Sequence, residues 1–225
     1  MKKFGLIALV VTLGGCRQTK NIALAKNFYD QSLLESNHLN YKRSLQIINE
    51  SLKLSENPES LAHKAFLLYQ LEKFNEAIEI YKKLSKDKKI PSPLKTDVLN
   101  NYACSLIQLK RHEEASMVWR ELTNDPNYLS PEVAWYNLGH LELIESKSSQ
   151  EKNAHYKKAL HHFAKAIEIS REYTDAIFYL AITQIMLGEL SEAKHTLIDL
   201  ISSFPNHKAA RNVLEHLTED SEISF

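Results

Sequence analysis

The amino-acid sequence predicts an all-α fold. Only 5 of its 225 residues are Gly and 6 are Pro, which is few for a fold rich in β-turns. Leu, Ile and Ala recur three and four residues apart through most of the chain, the spacing that places apolar side chains on one helix face. After the first fifteen residues the same pattern of small and large residues returns several times. The remainder has the length of one domain or one repeat array.

The first sixteen residues have the organisation of an export signal. Residues 1–3 are Met-Lys-Lys, and residues 4–13 are apolar but too few to span a bilayer. We therefore interpret residues 1–15 as a signal peptide. It ends in Leu-Gly-Gly before Cys16, which resembles the bacterial lipobox with its aliphatic residue, two small residues and Cys. An ordinary secretory signal with an incidental Cys, or an apolar N-terminus without a signal, is the alternative.

The lipobox resemblance implies that Cys16 is acylated and becomes the N-terminus of the mature protein. Several acyl chains on one terminus hold a protein on a membrane more durably than a single chain. Residues 16–21 would form a short tether. Arg17 follows the Cys where Asp would favour the inner membrane, so the resemblance favours the outer membrane, facing the periplasm.

The clearest repeat unit consists of AWYNLG at residues 134–139 and ALHHFAKA at residues 159–166. It resembles the tetratricopeptide repeat, in which helix A has a large residue followed by Leu-Gly and helix B has Ala, an aromatic residue and Ala. Here these are Trp135, Leu138, Gly139, Ala159, Phe163 and Ala166. The resemblance implies about five antiparallel helix pairs over residues 22–217, stacked in a right-handed superhelix.

Corresponding triplets of helix B residues set the register of all five pairs. Their first residues are 33, 38, 44 and 34 positions apart, against a repeat of about 34. The triplets are Ser44, Ile48, Ser51; Ala77, Tyr81, Leu84; Ala115, Trp119, Leu122; Ala159, Phe163, Ala166; and Ala193, Leu197, Leu200. The extra residues predict two insertions, a basic loop at 86–91 and a longer connection at 145–158, both on the surface.

Helix starts and chain ends agree with this register. Asn57, Ser92 and Ser130 each precede a Pro, the order of a capping side chain and a first helical residue. Residues 207–217 have apolar side chains at helical spacing and predict a capping helix, followed by a polar tail at 218–225. The first repeat matches least, since Gln31 and Ser32 replace Leu-Gly.

In the tetratricopeptide family a concave groove is lined by helix A positions, and the resemblance implies the same here. Most of the implied lining is apolar or aromatic, and it lacks the Lys and Arg that clamp a carboxylate. It comprises Tyr29, Leu33, Ser36, Ala62, Phe66, Tyr69, Asn100, Cys104, Ile107, Tyr136, His140, Leu143, Phe178, Ile182 and Ile185. We expect an amphipathic or extended protein segment to bind there. Burial of part of this lining, by a C-terminal turn of the superhelix or by self-association of the chain, is the alternative.

The sequence gives little support to other classes of function. Lys plus Arg and Asp plus Glu number 28 each, so no basic excess indicates nucleic acid. No phosphate-binding loop, hydrolase or metalloprotease motif occurs, so we predict neither an enzyme nor a cofactor. Cys104 has no partner at a defined spacing and is expected to be a small groove or core residue.

Two sets of side chains have residue types that could form a metal or catalytic site. His161 and His162 point to different sides of a helix, so we predict no metal site with His155. The acids that could act as paired carboxylates are expected to be solvated or paired with nearby Lys: Glu113, Glu114, Glu142 and Glu145.

The predicted function is a membrane-tethered scaffold in cell-envelope assembly, similar in layout to type IV pilus assembly lipoproteins that help a secretin reach the membrane. A docking regulator or adaptor of a cell-wall enzyme or periplasmic protease is the alternative. Fold alone does not separate the two.

Overall fold

Helices follow one another along the chain with short connections. The computed structural model describes the backbone of residues 4–222 and the side chains of residues 18–218. Over this part there are eleven helices: α1 (Phe4–Asn37), α2 (Tyr41–Leu54), α3 (Pro58–Gln70), α4 (Phe74–Ser85), α5 (Ser92–Gln108), α6 (His112–Thr123), α7 (Pro131–Ser146), α8 (Lys152–Ile169), α9 (Thr174–Leu187), α10 (Leu190–Ser203) and α11 (Lys208–Glu222). They form two compact units, Met1–Arg111 and His112–Phe225. This confirms the predicted all-α class, five helix pairs and a final helix.

The N-terminal predictions concern residues at the edge of the described part. The whole predicted signal peptide and the acylation site Cys16 lie outside the residues whose side chains are described. The backbone of α1 is helical through the predicted tether at 16–21. Within the described residues, none of the helices combines the length and the apolar character needed to cross a bilayer.

The helix B triplets form the interior of each pair. All fifteen residues, which lie in α2, α4, α6, α8 and α10, are at most 3% exposed. In the four pairs whose two helices lie in the same unit, the small first residue lets helix A approach closely, and the large second residue fills the space that remains. The register derived from the sequence is therefore confirmed.

The first pair achieves the same packing with hydroxyl groups. Ser32 takes the small helix A position and is fully buried. Its Oγ donates a hydrogen bond to the Ser44 carbonyl oxygen over 2.9 Å, and Ser44 Oγ donates to the Ser32 carbonyl oxygen over 2.7 Å. Ser51 Oγ donates to the Ala25 carbonyl oxygen over 2.7 Å. Each hydroxyl hydrogen-bonds to the backbone of the other helix, so the repeat that matches the sequence pattern least still packs closely.

Four of the turns from helix A to helix B share one backbone conformation. Two residues before helix B, the chain has a positive φ: 61° at Leu39, 60° at Glu72, 57° at Lys110 and 80° at Gly188. This left-handed conformation is unfavourable for residues with a Cβ atom. Only the last of these turns therefore has the residue type that the conformation favours.

One of the three predicted helix starts has a complete side-chain cap. Asn57 Oδ1 accepts a hydrogen bond from the Ser60 amide over 2.8 Å. Ser130 lies at the cap position, but its side chain makes no cap hydrogen bond. The prediction for Ser92 is wrong by one residue, because the Lys95 amide donates to the Pro91 carbonyl oxygen over 3.0 Å and so makes Pro91 the cap.

The two insertions are less superficial than predicted. In the basic loop, residues 86–89 are exposed, but Ile90 is 6% exposed and packs with Tyr81, Leu84 and Val98. In the second insertion α7 continues to Ser146 and α8 begins at Lys152. Only residues 147–151 are then outside helices, because the added residues lengthen both helices rather than the loop.

The final helix packs on the fifth pair. Ala210, Val213 and Leu214 contact the cluster around Leu197 and Leu200. The helical backbone continues to Glu222, which includes the first residues of the predicted polar tail.

Candidate protein-binding surfaces

In the first unit the predicted lining residues lie on the helix A members α1, α3 and α5. All are half-buried, which means that each is anchored in the fold and still offers surface: Tyr29, Leu33, Phe66, Tyr69, Asn100 and Ile107. Of the other three implied residues, Ala62 and Cys104 are half-buried and Ser36 is buried.

A cavity of about 210 Å³ opens between these helices. Its walls include Tyr29, Ala62 and Phe66 from the predicted lining. The remaining lining residues are Glu59, His63, Leu94, Asp97, Val98 and Asn101. We call this cavity the acidic pocket. Sequence reasoning missed Glu59 and His63, although residues 59, 62, 63 and 66 have the spacing of one helix face.

The floor of the acidic pocket is aromatic. The ring of His63 meets that of Tyr29 edge-on at 5.8 Å between centroids and stacks on that of Phe66 at 6.2 Å. His63 Nε2 lies 3.1 Å from Ser32 Oγ. Burial lowers the pKa of His63 below its ordinary value, so its imidazole is neutral at pH 7.

Two carboxylates give the acidic pocket its negative charge. Glu59 and Asp97 line it, and both are exposed. Partial burial raises the pKa of Asp97, and the pKa of Tyr29 is raised by burial and then by Glu59 and Asp30. Both shifts have the direction that burial and neighbouring negative charge produce.

In the second unit the predicted lining residues lie on α7 and α9. Tyr136 and His140 are half-buried on α7, and Phe178, Ile182 and Ile185 are half-buried on α9. Leu143 differs, because it is only 8% exposed and packs against Ala159 and Phe163 of α8. It contributes to the core rather than to an accessible surface.

Tyr136 is the centre of an aromatic cluster. Its ring centroid lies 5.2 Å from that of Tyr173, 5.6 Å from His140 and 5.9 Å from Tyr179. Burial raises the pKa of Tyr173 to about 12 and raises that of Tyr136 as well, so both hydroxyls stay protonated. The sequence did not predict Tyr173 and Tyr179 as surface residues, because only one lining residue was assigned to each helical turn.

Of the two outcomes expected for Glu142, solvation or pairing with a nearby Lys, the structure shows pairing, at a buried position. Glu142 is 8% exposed, and its Oε2 lies 2.7 Å from His155 Nδ1 and 3.9 Å from Lys158 Nζ. Glu145 lies 4.0 Å from the same His155 nitrogen. The lengthened α7 and α8 bring these groups together and cover Glu142.

These acids and His155 are also the described residues that could hold a metal ion, since one ligand atom of each lies within 4.8 Å of the others. The atoms of Glu142 and His155 that would be ligands are already joined by a hydrogen bond. These side chains therefore join the two helices through a hydrogen bond.

Two further groups are held in their neutral form by burial. The pKa of Cys104 is raised to about 11, so its sulfur is a protonated thiol and a poor nucleophile at pH 7. The pKa of His162 is lowered to about 4, and within the described residues its Nδ1 has no hydrogen-bond partner. The ring of His162 lies 5.4 Å from that of Trp135. Both groups fill the interior rather than forming a reactive site.

Family models of the tetratricopeptide repeat match residues 58–86 and 152–217. The chain contains tetratricopeptide repeats. The matched models describe a protein-interaction repeat and no enzyme family. No curated protein sequence matches this repeat protein significantly.

Solved structures with the same fold cover most of the repeat protein. PilF of Pseudomonas aeruginosa is 19% identical, with a TM-score of 0.63 and coverage of 86% of this chain and 90% of PilF. PilW, described as a widely conserved type IV pilus biogenesis factor, is 17% identical with a TM-score of 0.65 and coverage of 89% and 94%. YrrB, described as having an unusual peptide-binding site, is 16% identical with a TM-score of 0.57 and coverage of 84% and 90%. At these low identities, the TM-scores establish a common fold and nothing about function.

Proposed function

We propose that this tetratricopeptide-repeat protein is a membrane-anchored scaffold that binds segments of other proteins during assembly of a cell-envelope complex. The observation that carries the proposal is the set of half-buried apolar and aromatic side chains on the helix A members of both units. Tyr29 and Phe66 represent it in the first unit, and Tyr136 and Phe178 in the second.

Such side chains suit an amphipathic or extended segment. Aromatic rings held in place by packing lose little conformational freedom when a partner covers them, and each has a large apolar area. The protonated hydroxyls of Tyr136 and Tyr173 add donors for the partner's carbonyl groups. Binding then combines apolar burial with a few directed hydrogen bonds.

The lipobox and the fold together favour the envelope. An acylated Cys16 would hold the repeats within a short distance of the outer membrane, on its periplasmic side. PilF and PilW share the fold over most of their length, and the latter is a type IV pilus biogenesis factor. We therefore propose assembly of a type IV pilus or of its secretin as the pathway.

The anchor is tested by Cys16→Ser. Wild type should incorporate labelled palmitate and fractionate with the outer membrane, whereas the variant should do neither. Palmitate incorporation by the variant would contradict acylation at Cys16.

The pathway is tested in cells that lack the chain. Secretin multimers and surface pili should be lost, and should return with wild type and with Ile198→Ser, whose side chain is exposed on helix B of the fifth pair. They should not return with Phe178→Ser on the proposed surface. Normal pili and secretin in the deletion strain, together with a cell-wall defect, would contradict the pathway and support the docking regulator.

A further inference from the structure

We infer that the acidic pocket of the first unit binds a Lys or Arg side chain of the protein segment, so that the partner is a segment with a basic residue beside apolar ones. This inference rests on the proposed function, because it names the chemistry of the segment that the repeats bind. It adds a sequence requirement that the apolar lining alone does not impose.

The size of the acidic pocket fits one side chain. Its volume is about 210 Å³, and it is open to solvent on one side. Pockets for drug-sized ligands are usually larger, about 300–1,000 Å³. A long side chain with its methylene groups against Leu94 and Val98 would fill the available space.

The carboxylates of the acidic pocket have no nearby positive charge and therefore favour a cation. Other acids of the same unit have partners: Glu35 lies 3.0 Å from Arg43, and Glu56 lies 2.9 Å from Lys83. Among the residues with described side chains, no Lys or Arg lies within ion-pair distance of Glu59 or Asp97. The neutral His63 on the floor supplies no positive charge either. A cationic side chain from a partner would therefore meet two uncompensated carboxylates.

The aromatic floor adds a second preference for the same kind of side chain. Tyr29 and Phe66 are half-buried, so part of each ring is accessible to a ligand. Lys and above all Arg are attracted to the faces of aromatic rings, and the planar guanidinium also stacks on them. The Asn101 side chain at the wall can accept a further hydrogen bond through its amide oxygen. Aromatic faces and carboxylates in one small cavity select a basic side chain over an acidic or purely apolar one.

A displayed library of random peptides, selected on the full chain, tests the inference without knowledge of the natural partner. Wild type should enrich peptides that have Arg or Lys next to apolar residues. The double variant Glu59→Gln with Asp97→Asn should lose this basic preference and keep the apolar one. Glu79→Gln with Glu121→Gln removes the same two charges from exposed positions outside the acidic pocket and should select like wild type.

The most enriched peptide then provides a direct measurement. Replacing its Arg by citrulline, which keeps the shape and removes the charge, should weaken binding to wild type at least tenfold in fluorescence anisotropy. The same replacement should change binding to the Glu59→Gln with Asp97→Asn variant by less than threefold. The variant with neutral Glu79 and Glu121 positions should show the same tenfold loss as wild type. A loss of less than threefold in that variant, or a tenfold loss in the Glu59→Gln with Asp97→Asn variant, would overturn the inference, because either result would indicate unspecific attraction.

The library separates this inference from the proposed function. Enrichment of apolar peptides without basic residues would overturn the acidic-pocket inference and leave segment binding intact. Failure to enrich any peptide would contradict both. Enrichment of sequences like the chain's own basic loop at residues 86–89 would identify a second copy of this chain as the occupant, and would contradict a separate partner.

Discussion

Replacing Gly139 by Ala should destabilise the second unit, although Ala is the better helix former. A Cβ atom at this position would lie 2.7 Å from Phe163 Cε1 and 2.9 Å from Cδ1 and Cζ. The Phe163 ring is fully buried and has the rings of Tyr136 and Tyr179 at 5.8 and 5.9 Å. It therefore has no free space into which to move.

The magnitude follows from two opposed contributions. Overpacking of a core typically costs about 1–3 kcal/mol, whereas Gly to Ala in a helix stabilises by about 1 kcal/mol. We expect Gly139→Ala to lower the unfolding free energy by roughly 1 kcal/mol. Without the clash, Gly139→Ala would raise the unfolding free energy instead.

Urea unfolding followed by tryptophan fluorescence suits this measurement, because Trp119 and Trp135 both lie in the second unit. The double variant Gly139→Ala with Phe163→Leu should be less destabilised than the sum of the two single variants, since Leu does not occupy the space of the ring. The chain offers the precedent, because Ala181 and Leu197 pack in one cluster in the next pair. Stabilisation by Gly139→Ala, or strict additivity in the cycle, would refute the argument.

Four further variants test local features of the fold. Asn57→Ala should cost about 1 kcal/mol because it removes a capping hydrogen bond. Ser130→Ala, at a cap position without that bond, should cost clearly less in a urea titration followed by circular dichroism, which reports the helices of both units; equal losses would contradict the reasoning. Lys110→Gly should raise the urea midpoint, since it relieves a positive φ of 57°, and a lower midpoint would show that the turn is unstrained. His162 has a folded-state pKa of about 4, below its ordinary 6.5. The unfolded chain therefore binds the proton first, and stability is lost as pH falls from about 6.5 to 4, by up to roughly 3 kcal/mol. His162→Asn should flatten this part of the pH profile of stability, and an unchanged slope would contradict the assignment.

The interior of the helix pairs could be predicted because it depends on local spacing. The triplet of Ala159, Phe163 and Ala166 and its four counterparts have a fixed order of small and large residues, and a helix places that order on one face. Ser32 and Ser44 follow the same rule, since their hydroxyls are satisfied by nearby backbone. The burial of these residues could therefore be predicted without knowledge of contacts between distant parts of the chain.

The environment of single polar residues could not be predicted in the same way. Glu142 and Glu113 look alike in sequence, but only Glu142 is covered, because the added turns of α7 and α8 bring His155 beside it. The acidic pocket likewise requires the approach of α3 to α5, which places Asp97 near Phe66. The spacing of residues within one helix contains no information on such approaches.

Photo-crosslinking in living cells tests the central claim, that the helix A surfaces bind segments of other proteins. A photoreactive residue in place of Phe178 on α9 would probe the proposed surface, and one in place of Ile198, 49% exposed on α10, would be the control. We predict that the Phe178 position captures one envelope-assembly protein, identified by mass, and that the Ile198 position does not. Capture of nothing but copies of this chain at the Phe178 position, or of the same proteins at both positions, would contradict the account.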